Sequence, residues 1–431
     1  MLQRILVRGD TKGEFMISII TPTNNTVYLK ELANSIGEQT YQDWEWRILV
    51  NGEATLEQVA EAVKELPVDK VFISQTEDLK GVGALKKSLC NSVEGEIILE
   101  VDHDDLLVST ALEEVAQTFN NNSEVCFVYS NAAYVRKDWS TYRYGSIYQW
   151  EYRPFVYKGH EIEEIVSPES VPQELCYIWF APDHLRAWRT NDYKEIGGHN
   201  DELSVADDHE LIIRTYLYGK MLHIDKCLYI YRVHDDNTWL ARNSDIQEAT
   251  VRLFDKYIEI LAKKWAERSG LFRIDLCGGI SKPEGYVSLD IVSADITMDL
   301  NKKWDILKDN SVGVIRAYDA IEHLKDPIHL MNEAYRVLAH GGFLLIMVPS
   351  TDGRGAFQDP SHVSFWNQNS FWYYTKSEYN KYLYRRCPVR FQVRRLETVW
   401  PSQWHRDNHI PYVWAVLVAI KDKLFHGVME I

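Results

Sequence analysis

The chain has 431 residues, 45% apolar and 26% charged, an ordinary globular balance with length for two or three domains. Its formal net charge of −16 argues against a protein whose main task is gripping nucleic acid, because neutralising phosphates takes clustered Lys and Arg. The apolar stretch Tyr412–Ile420 is too short to span a bilayer, the N-terminus shows no secretory apolar region, and Cys90, Cys126, Cys176, Cys227, Cys277 and Cys387 include no CxxC pair, so reduced thiols and a cytoplasmic protein without a transmembrane segment are expected.

From Met16 the pattern alternates strand and helix. Met16–Ile20 predicts a strand ending at Thr21-Pro22-Thr23, and Leu29, Leu32 and Ile36 share one face of the helix that follows. Trp44–Val50 predicts a strand ending at Asn51-Gly52. Thr55 and Gln58 form a capping-box signature ahead of Leu56, Val59, Ala60 and Val63 at helical spacing. Lys70–Ser74 predicts a short strand, Val82–Val93 a helix, and Glu96–Val101 a strand running into Asp102-His103-Asp104-Asp105. A capped helix is expected near Ser109, then a strand at Glu124–Tyr129. This alternation predicts a mostly parallel sheet with helices on both faces, whose ligands bind beyond the carboxyl ends of the strands. Thr21, Asn51 and Asp102 gather along that edge.

Residues 130–180 read as irregular and rich in rings: Tyr134, Trp139, Tyr142, Tyr144, Tyr148, Trp150 and Tyr152. They suit either a wall on which sugar faces stack or an ordinary cover over the sheet. A charged helical segment around Asp245–Arg268 leads to a second strand–helix pattern after Gly270. Strands are expected at Phe272–Leu276, Tyr286–Ile291, Val312–Arg316 and Phe343–Val348, with a helix at Pro327–Leu338.

The strongest chemical signal is Ile97-Ile98-Leu99-Glu100-Val101-Asp102-His103-Asp104-Asp105. A buried strand delivers several acids to one tip, and like charges that close are costly unless a cation or donors neutralise them. A hard divalent ion with oxygen ligands is one solution, and such an ion can bridge a diphosphate; the plain alternative is a solvated acidic turn. Here the chain resembles the family 2 glycosyltransferases, which have the nucleotide-diphospho-sugar transferase fold called GT-A, over roughly residues 16–240. The residues that carry the resemblance are Ile17 to Asn24, Gln39-Thr40-Tyr41, Glu45 to Val50, Gly81 to Lys87, Gly95 to Ile98, the DxD pair Asp102 and Asp104, Asp207-Asp208-His209-Glu210 after Ile196-Gly197-Gly198-His199, and Tyr231-Arg232-Val233-His234.

That resemblance implies an inverting transfer with Asp208 as catalytic base. It implies Mn²⁺ or Mg²⁺ at Asp104, Asp102 and His234, and donor-nucleotide contacts from Thr21, Pro22, Thr23, Asn51, Lys86 and Asp102. Two positions depart from the family pattern. Asn51-Gly52-Glu53 replaces the usual acidic pair after the second strand, and a Lys, Lys86 or Lys87, stands where an Arg is usual.

In the second half, Phe272-Arg273-Ile274-Asp275-Leu276-Cys277-Gly278-Gly279 is a strand running into a small-residue turn, and Asp290 ends the next strand. A glycine turn lets backbone approach a ligand, and an acid at the second strand end suits a ribose hydroxyl pair. Residues 271–375 resemble the class I S-adenosylmethionine-dependent methyltransferases through Tyr286 to Asp290, Asp295 to Leu300, Ala320-Ile321-Glu322-His323-Leu324, Tyr335 to Gly342, and Gly353 to Val363. The resemblance implies S-adenosylmethionine contacts from Asp275, Gly278, Gly279, Asp290, Asp299 and Asp319. Cys277 replaces the usual first glycine, and the loop from Gly279 to Tyr286 is too short for a full helix.

The expected architecture is α/β throughout: a GT-A domain over 1–242, a helical linker over 243–270 and a Rossmann-like methyltransferase domain over 271–431. The expected function is bifunctional: metal-dependent transfer of a sugar from a nucleoside diphosphate sugar to an acceptor hydroxyl, joined to methylation of a glycan. The alternatives are a non-catalytic methyltransferase-like module, or a glycosyltransferase that modifies a DNA base, which the acidic charge disfavours.

Overall fold

A computed structural model of the protein describes residues 15–79, 81–175, 177–178, 182–235, 237–279 and 282–426. Cys176 and nearly all of the N-terminal segment ahead of Met16 lie outside these residues. The chain forms two compact units, Met1–Ser170 with Ile178–Leu253, and Val171–Tyr177 with Phe254–Ile431. Among the described residues no helix is long and apolar enough to cross a membrane.

The strands of the first unit are β1 (Ile17–Thr23), β2 (Trp44–Val50), β3 (Val71–Gln75), β4 (Ile97–Glu100), β5 (Leu106–Leu107), β6 (Val125–Val135), β7 (Tyr152–Tyr157), β8 (His160–Ile165), β9 (Arg186–Arg189) and β10 (Lys220–Arg232). They make one sheet in the order β3-β2-β1-β4-β9-β6-β10-β5, with β8 on β6 and β7 on β8. The sheet is mixed rather than mostly parallel: β9 runs antiparallel to both β4 and β6, while β10 and β6 are parallel. The carboxyl ends of β1, β4, β6 and β10 therefore share one edge, and β9 begins there.

Two local differences from the sequence expectation have physical causes. β1 continues through Pro22 to Thr23; its pairing with β4 ends at Ile20, so Pro22 lies where the missing N–H costs no central ladder bond. Residues 130–180 are more regular than their composition suggests, because β6 extends to Val135 and β7 and β8 form a hairpin. The capping box of the Leu56–Val63 helix is present, both bonds made. The Ala111–Asn121 helix starts after Thr110 with no side-chain cap.

The second unit has β11 (Phe272–Leu276), β12 (Val287–Asp290), β13 (Ile296–Thr297), β14 (Val312–Tyr318), β15 (Leu338–Pro349), β16 (Phe391–Val399) and β17 (Tyr412–Ala419), ordered β13-β12-β11-β14-β15-β17-β16. The first five strands are parallel, and β17 runs antiparallel to β15 and β16. Trp304, Trp366, Phe371 and Met331 fill its core with the inward residues of β14 and β15. The segment Val171–Tyr177 belongs to this unit, and Gln173 Nε2 donates to the Gly341 carbonyl at 2.6 Å. The Asn243–Arg268 helix is continuous, with residues up to Leu253 in the first unit and those from Phe254 in the second.

Candidate active site

β4 is apolar until its last residue, Glu100, which is fully buried. A buried carboxylate needs charge partners, and the fold supplies two. Lys86, from the Val82–Ser92 helix, places Nζ 3.4 Å from Glu100 Oε2 and 3.5 Å from Asp102 Oδ1. His199 Nε2 lies 2.9 Å from Glu100 Oε1, while its Nδ1 meets the Tyr193 hydroxyl at 2.7 Å. Burial alone would raise the Glu100 carboxyl, but the Lys86 and His199 charges outweigh it and hold the group below the usual carboxylate range.

The antiparallel register pairs Glu100 with Arg186 at the start of β9. Arg186 is 1% exposed, and its Nη1 donates to Asp208 Oδ2 at 2.6 Å. Asp208 lies in the first turn of the Asp207–Tyr218 helix, where the N-terminal dipole also favours negative charge. Burial opposes its ionisation, yet the Arg186 and Lys86 cations prevail and keep Asp208 below the usual carboxylate range. Asp207 faces His199 Nε2, at 3.8 Å: burial, with the Asp208 charge beside it, outweighs the His199 and Lys86 charges and pushes its carboxyl up to about 6. Gly83 leaves it room, since a Cβ there would stand 2.9 Å from Asp207 Oδ2.

This pair makes a pH prediction. A carboxyl raised in the fold from an ordinary 3.8 to about 6 is cheaper to ionise in the unfolded chain, so its ionisation removes stability as pH rises through that window. Asp207→Asn is expected to melt higher than the parent at pH 7 and to converge with it near pH 4. Parallel melting curves for the two proteins from pH 4 to pH 7 would sink this assignment.

Beyond β4 the acids part company. Asp102 is 31% exposed on its side chain and faces Lys86 and, at 3.6 Å, His184 Nε2. Asp104 Oδ2 meets His234 Nε2 at 2.8 Å, just past the end of β10. Asp105 turns inward, accepting from the Arg232 N–H and the Tyr229 hydroxyl at 2.8 Å each. Burial and the neighbouring charges of Asp104 and Asp102 push its carboxyl well up. His184, which stacks on Tyr229 at 4.8 Å, is held below its ordinary pKa by burial and then by Arg186.

The other expected donor contacts divide. The Thr21 side chain is fully buried, its hydroxyl donating to the Val101 carbonyl at 2.8 Å and accepting from Trp46 Nε1 at 3.0 Å. It joins β1 to its neighbours and presents no free hydroxyl. Thr23 likewise donates to the Asn25 carbonyl. Asn51 follows β2 on the binding edge, partly exposed, with its N–H on the Thr23 carbonyl at 2.9 Å. Pro22 is buried inside β1. Lys86 is 4% exposed and reaches the tip from within, as counter-ion to the acids rather than as a surface cation.

Sequence reasoning missed Arg186, His184 and Glu100 as members of this cluster. A rule that ties buried acids to buried cations points to the Glu100–Lys86 pair; Arg186 becomes visible only through the antiparallel insertion of β9. The rings left open above pack on one another: Tyr134 with Tyr144 at 5.5 Å, Tyr142 with Trp239 at 5.9 Å, and Tyr134 with Tyr231 at 4.9 Å. Tyr231 in turn stacks on His184 at 6.2 Å, so this aromatic group continues to the acidic tip.

In the second unit the expected residues follow the carboxyl ends of adjacent strands: Cys277 to Gly279 after β11, Asp290 closing β12, Asp299 beyond β13 and Asp319 after β14. Asp275 is 2% exposed and accepts from Arg316 Nη1 at 2.8 Å. A Cβ on Gly278 would stand 1.9 Å from Asp275 Oδ2, so any other residue there would force the Asp275 carboxylate to move. A Cβ on Gly279 would lie 3.7 Å from Asp290 Oδ2, which places turn and acid side by side. Asp299 is engaged in its own turn with the Asn301 N–H at 3.0 Å.

Each of the two α/β units sets polar residues along the carboxyl edge of a parallel strand set. Residues 18–172 match the sequence model described as glycosyl transferase family 2, and residues 273–346 match one described as a methyltransferase domain. The chain thus carries a stretch that matches the family 2 glycosyl transferase model, followed by one that matches a methyltransferase model. Chondroitin synthase of Pasteurella multocida (strain Pm70) is 22% identical over 308 residues, 71% of this chain and 28% of that protein. Chondroitin synthase of Escherichia coli is 24% identical over 265 residues, 61% of this chain and 35% of that protein. The chain spans only these minor shares of the relatives' lengths. A crystal structure of S. aureus TarS 1–349 in complex with UDP-GlcNAc is similar at 20% identity and a TM-score of 0.44, covering 58% of this chain and 70% of that one.

Proposed function

We propose that the first unit transfers a sugar from a nucleoside diphosphate donor to an acceptor hydroxyl with inversion, Asp208 acting as the base. The observation that carries this is the Arg186–Asp208 pair at 2.6 Å, on the same sheet edge as Asp102 and Asp104. A carboxylate kept ionised and oriented there can take the hydroxyl proton as the oxygen attacks the sugar carbon. Asp104 and His234, already in contact, would hold the divalent ion, with Asp102 turning from Lys86 and His184 to join them. A mixed carboxylate and imidazole set suits Mn²⁺ better than Mg²⁺. Such an ion supplies positive charge to the diphosphate leaving group. Asn51 offers a donor and an acceptor for a nucleobase, and the ring cluster through Tyr142, Tyr144 and Trp239 offers faces for an acceptor glycan.

For the second unit the reading is S-adenosylmethionine-dependent methylation of a glycan hydroxyl. The tight Gly278-Gly279 turn against Asp290 supports it. The test is a thermal-shift screen of the whole chain against nucleotide sugars with and without Mn²⁺, and against S-adenosylmethionine and its demethylated product. A ligand at ~100 times its dissociation constant adds ~2.7 kcal/mol to the state it binds. One nucleotide sugar is expected to raise the melt only with metal. A panel in which no nucleotide sugar does so overturns the donor assignment, and no response to S-adenosylmethionine reduces the second unit to a non-catalytic module.

A further inference from the structure

A group of metal-type ligands lies in the second unit. Past β14 the chain makes a single 3₁₀ turn, Ile321–His323. The chain that returns after the Gly355–Gln358 helix is tied to this turn: the Val363 and Ser364 N–H groups donate to the Glu322 carbonyl at 2.8 and 3.0 Å, and the Ser364 hydroxyl donates to the Ile321 carbonyl at 2.9 Å. These bonds bring His362 against Glu322 and His323. Ligand atoms of the three residues all lie within 4.8 Å of one another, the one such group of three among the described residues.

The polarity of each group is fixed by its surroundings. His362 Nδ1 stands 2.9 Å from the Ala356 carbonyl, which only accepts, so Nδ1 is the donor and Nε2 is the ring atom left for an ion. His323 Nδ1 faces the Ser361 carbonyl at 3.2 Å and the Ser361 hydroxyl, which itself donates to Asp359, at 3.3 Å, so Nδ1 is the donor here too and Nε2 is the ring atom left for an ion. A backbone carbonyl behind each ring is the usual outer support of a metal-bound imidazole. Glu322 is 2% exposed, and its Oε2 is buried with no hydrogen-bond partner. An orphaned carboxylate oxygen in a dry site is costly, and a cation removes that cost. Glu322 Oε1 and Asp359 Oδ2 each lie 4.0 Å from His362 Nε2. Two ligands at ~2.1 Å from one ion are separated by ~3 to ~4.2 Å, so only small side-chain shifts complete the shell.

We propose that Glu322, His323 and His362, with Asp359 as a further oxygen, form a divalent-cation site in the second unit that takes a first-row ion such as Mn²⁺. Two imidazoles and a carboxylate leave coordination positions open, as sites that handle substrate do. The turn lies at the carboxyl end of β14, the strand next to β11 and its glycine turn. The site therefore lies along the edge where an acceptor is to be methylated, and paired sugar hydroxyls are the oxygen ligands that would fit its open positions. This last role rests on the methyltransferase reading of the unit; the ion site itself does not.

The test counts Mn²⁺ bound by the full chain, from loss of the free-ion electron paramagnetic resonance signal. It uses an Asp104→Asn background so that the sugar-transfer site does not contribute. One bound ion is expected. Adding His362→Ala or Glu322→Gln is expected to weaken binding by at least ~10-fold, the loss that even outer-shell changes at metal sites produce. Should Glu322→Gln fail to fold, His323→Ala gives the same readout from a partly exposed position. Unchanged Mn²⁺ affinity in the folded His362→Ala protein, or no bound ion in the parent, overturns the site. Calorimetry with S-adenosylhomocysteine on the same proteins separates the two readings. Mn²⁺ binding without it keeps the site and removes the acceptor role; its binding without Mn²⁺ removes the site and keeps the methyltransferase.

Discussion

Asp208→Asn is expected to lower kcat for sugar transfer by ~10²–10⁴-fold, the range for loss of a positioned general base, while donor affinity changes little. The amide keeps the shape of the carboxylate and still accepts from Arg186, but it cannot take a proton. The pH profile sharpens this expectation. Burial alone would carry the Asp208 carboxyl upward, and the Arg186 and Lys86 cations hold it below the usual carboxylate range. The parent enzyme should therefore show no loss of rate assignable to Asp208 from pH 8 down to pH 5. Arg186→Met removes the largest opposing charge, so burial takes over and an acid limb should move up toward neutrality. Steady-state rates with a matched donor and acceptor check both statements, and a melting curve for each variant confirms that it is folded. Near-normal turnover in Asp208→Asn would remove this residue from the chemistry.

The sequence exposed the strands and the acids, because both leave local traces. Four apolar residues before Glu100 announce a buried strand, and the Asp102-His103-Asp104-Asp105 run has no apolar explanation. The Thr55–Gln58 capping box was legible for the same reason: its two bonds join residues three apart. What stayed hidden depends on pairing across long sequence distances. β9 is a short segment whose pattern, Arg186-Ala187-Trp188-Arg189, does not say that it inserts antiparallel between β4 and β6. That insertion sets Arg186 opposite Glu100 and makes the parallel sheet a mixed one. Thr21 shows the reverse case: its place near a strand end suggests a ligand contact from the side chain, but β1 runs two residues further and Val101 and Trp46 engage the hydroxyl. In the second unit the Glu322-His323 pair was visible as part of a motif. Its convergence with His362 is the work of a returning loop, which no local periodicity encodes.

Lys86→Met is expected to cost the first unit about 3–5 kcal/mol, the usual penalty for stripping one partner from a buried ion pair, read as a lower melting temperature. Lys86 is 4% exposed, and Glu100, its nearest acid at 3.4 Å, is fully buried. The aliphatic part of Met replaces the stem of Lys well, so packing is nearly conserved and the loss is mainly electrostatic. Two further measurements separate this from a simple packing defect. The first is a double variant: adding Glu100→Gln removes the stranded charge, so Lys86→Met/Glu100→Gln should recover most of the loss, a coupling that a packing change does not produce. The second is pH. In the parent, Glu100 is held below its ordinary pKa of 4.5, so its contribution is present above that value and disappears as pH falls through the depressed one. In Lys86→Met burial acts with less opposition and Glu100 protonates at a higher pH, relieving the variant first. The stability gap should therefore be widest at neutral pH and narrow as pH falls toward and below the ordinary carboxylate range. A gap that stays constant from pH 7 to pH 4 would mean that Lys86 acts as a filler of space. In that case the acidic tip must take its balancing charge from Arg186 and His199 alone.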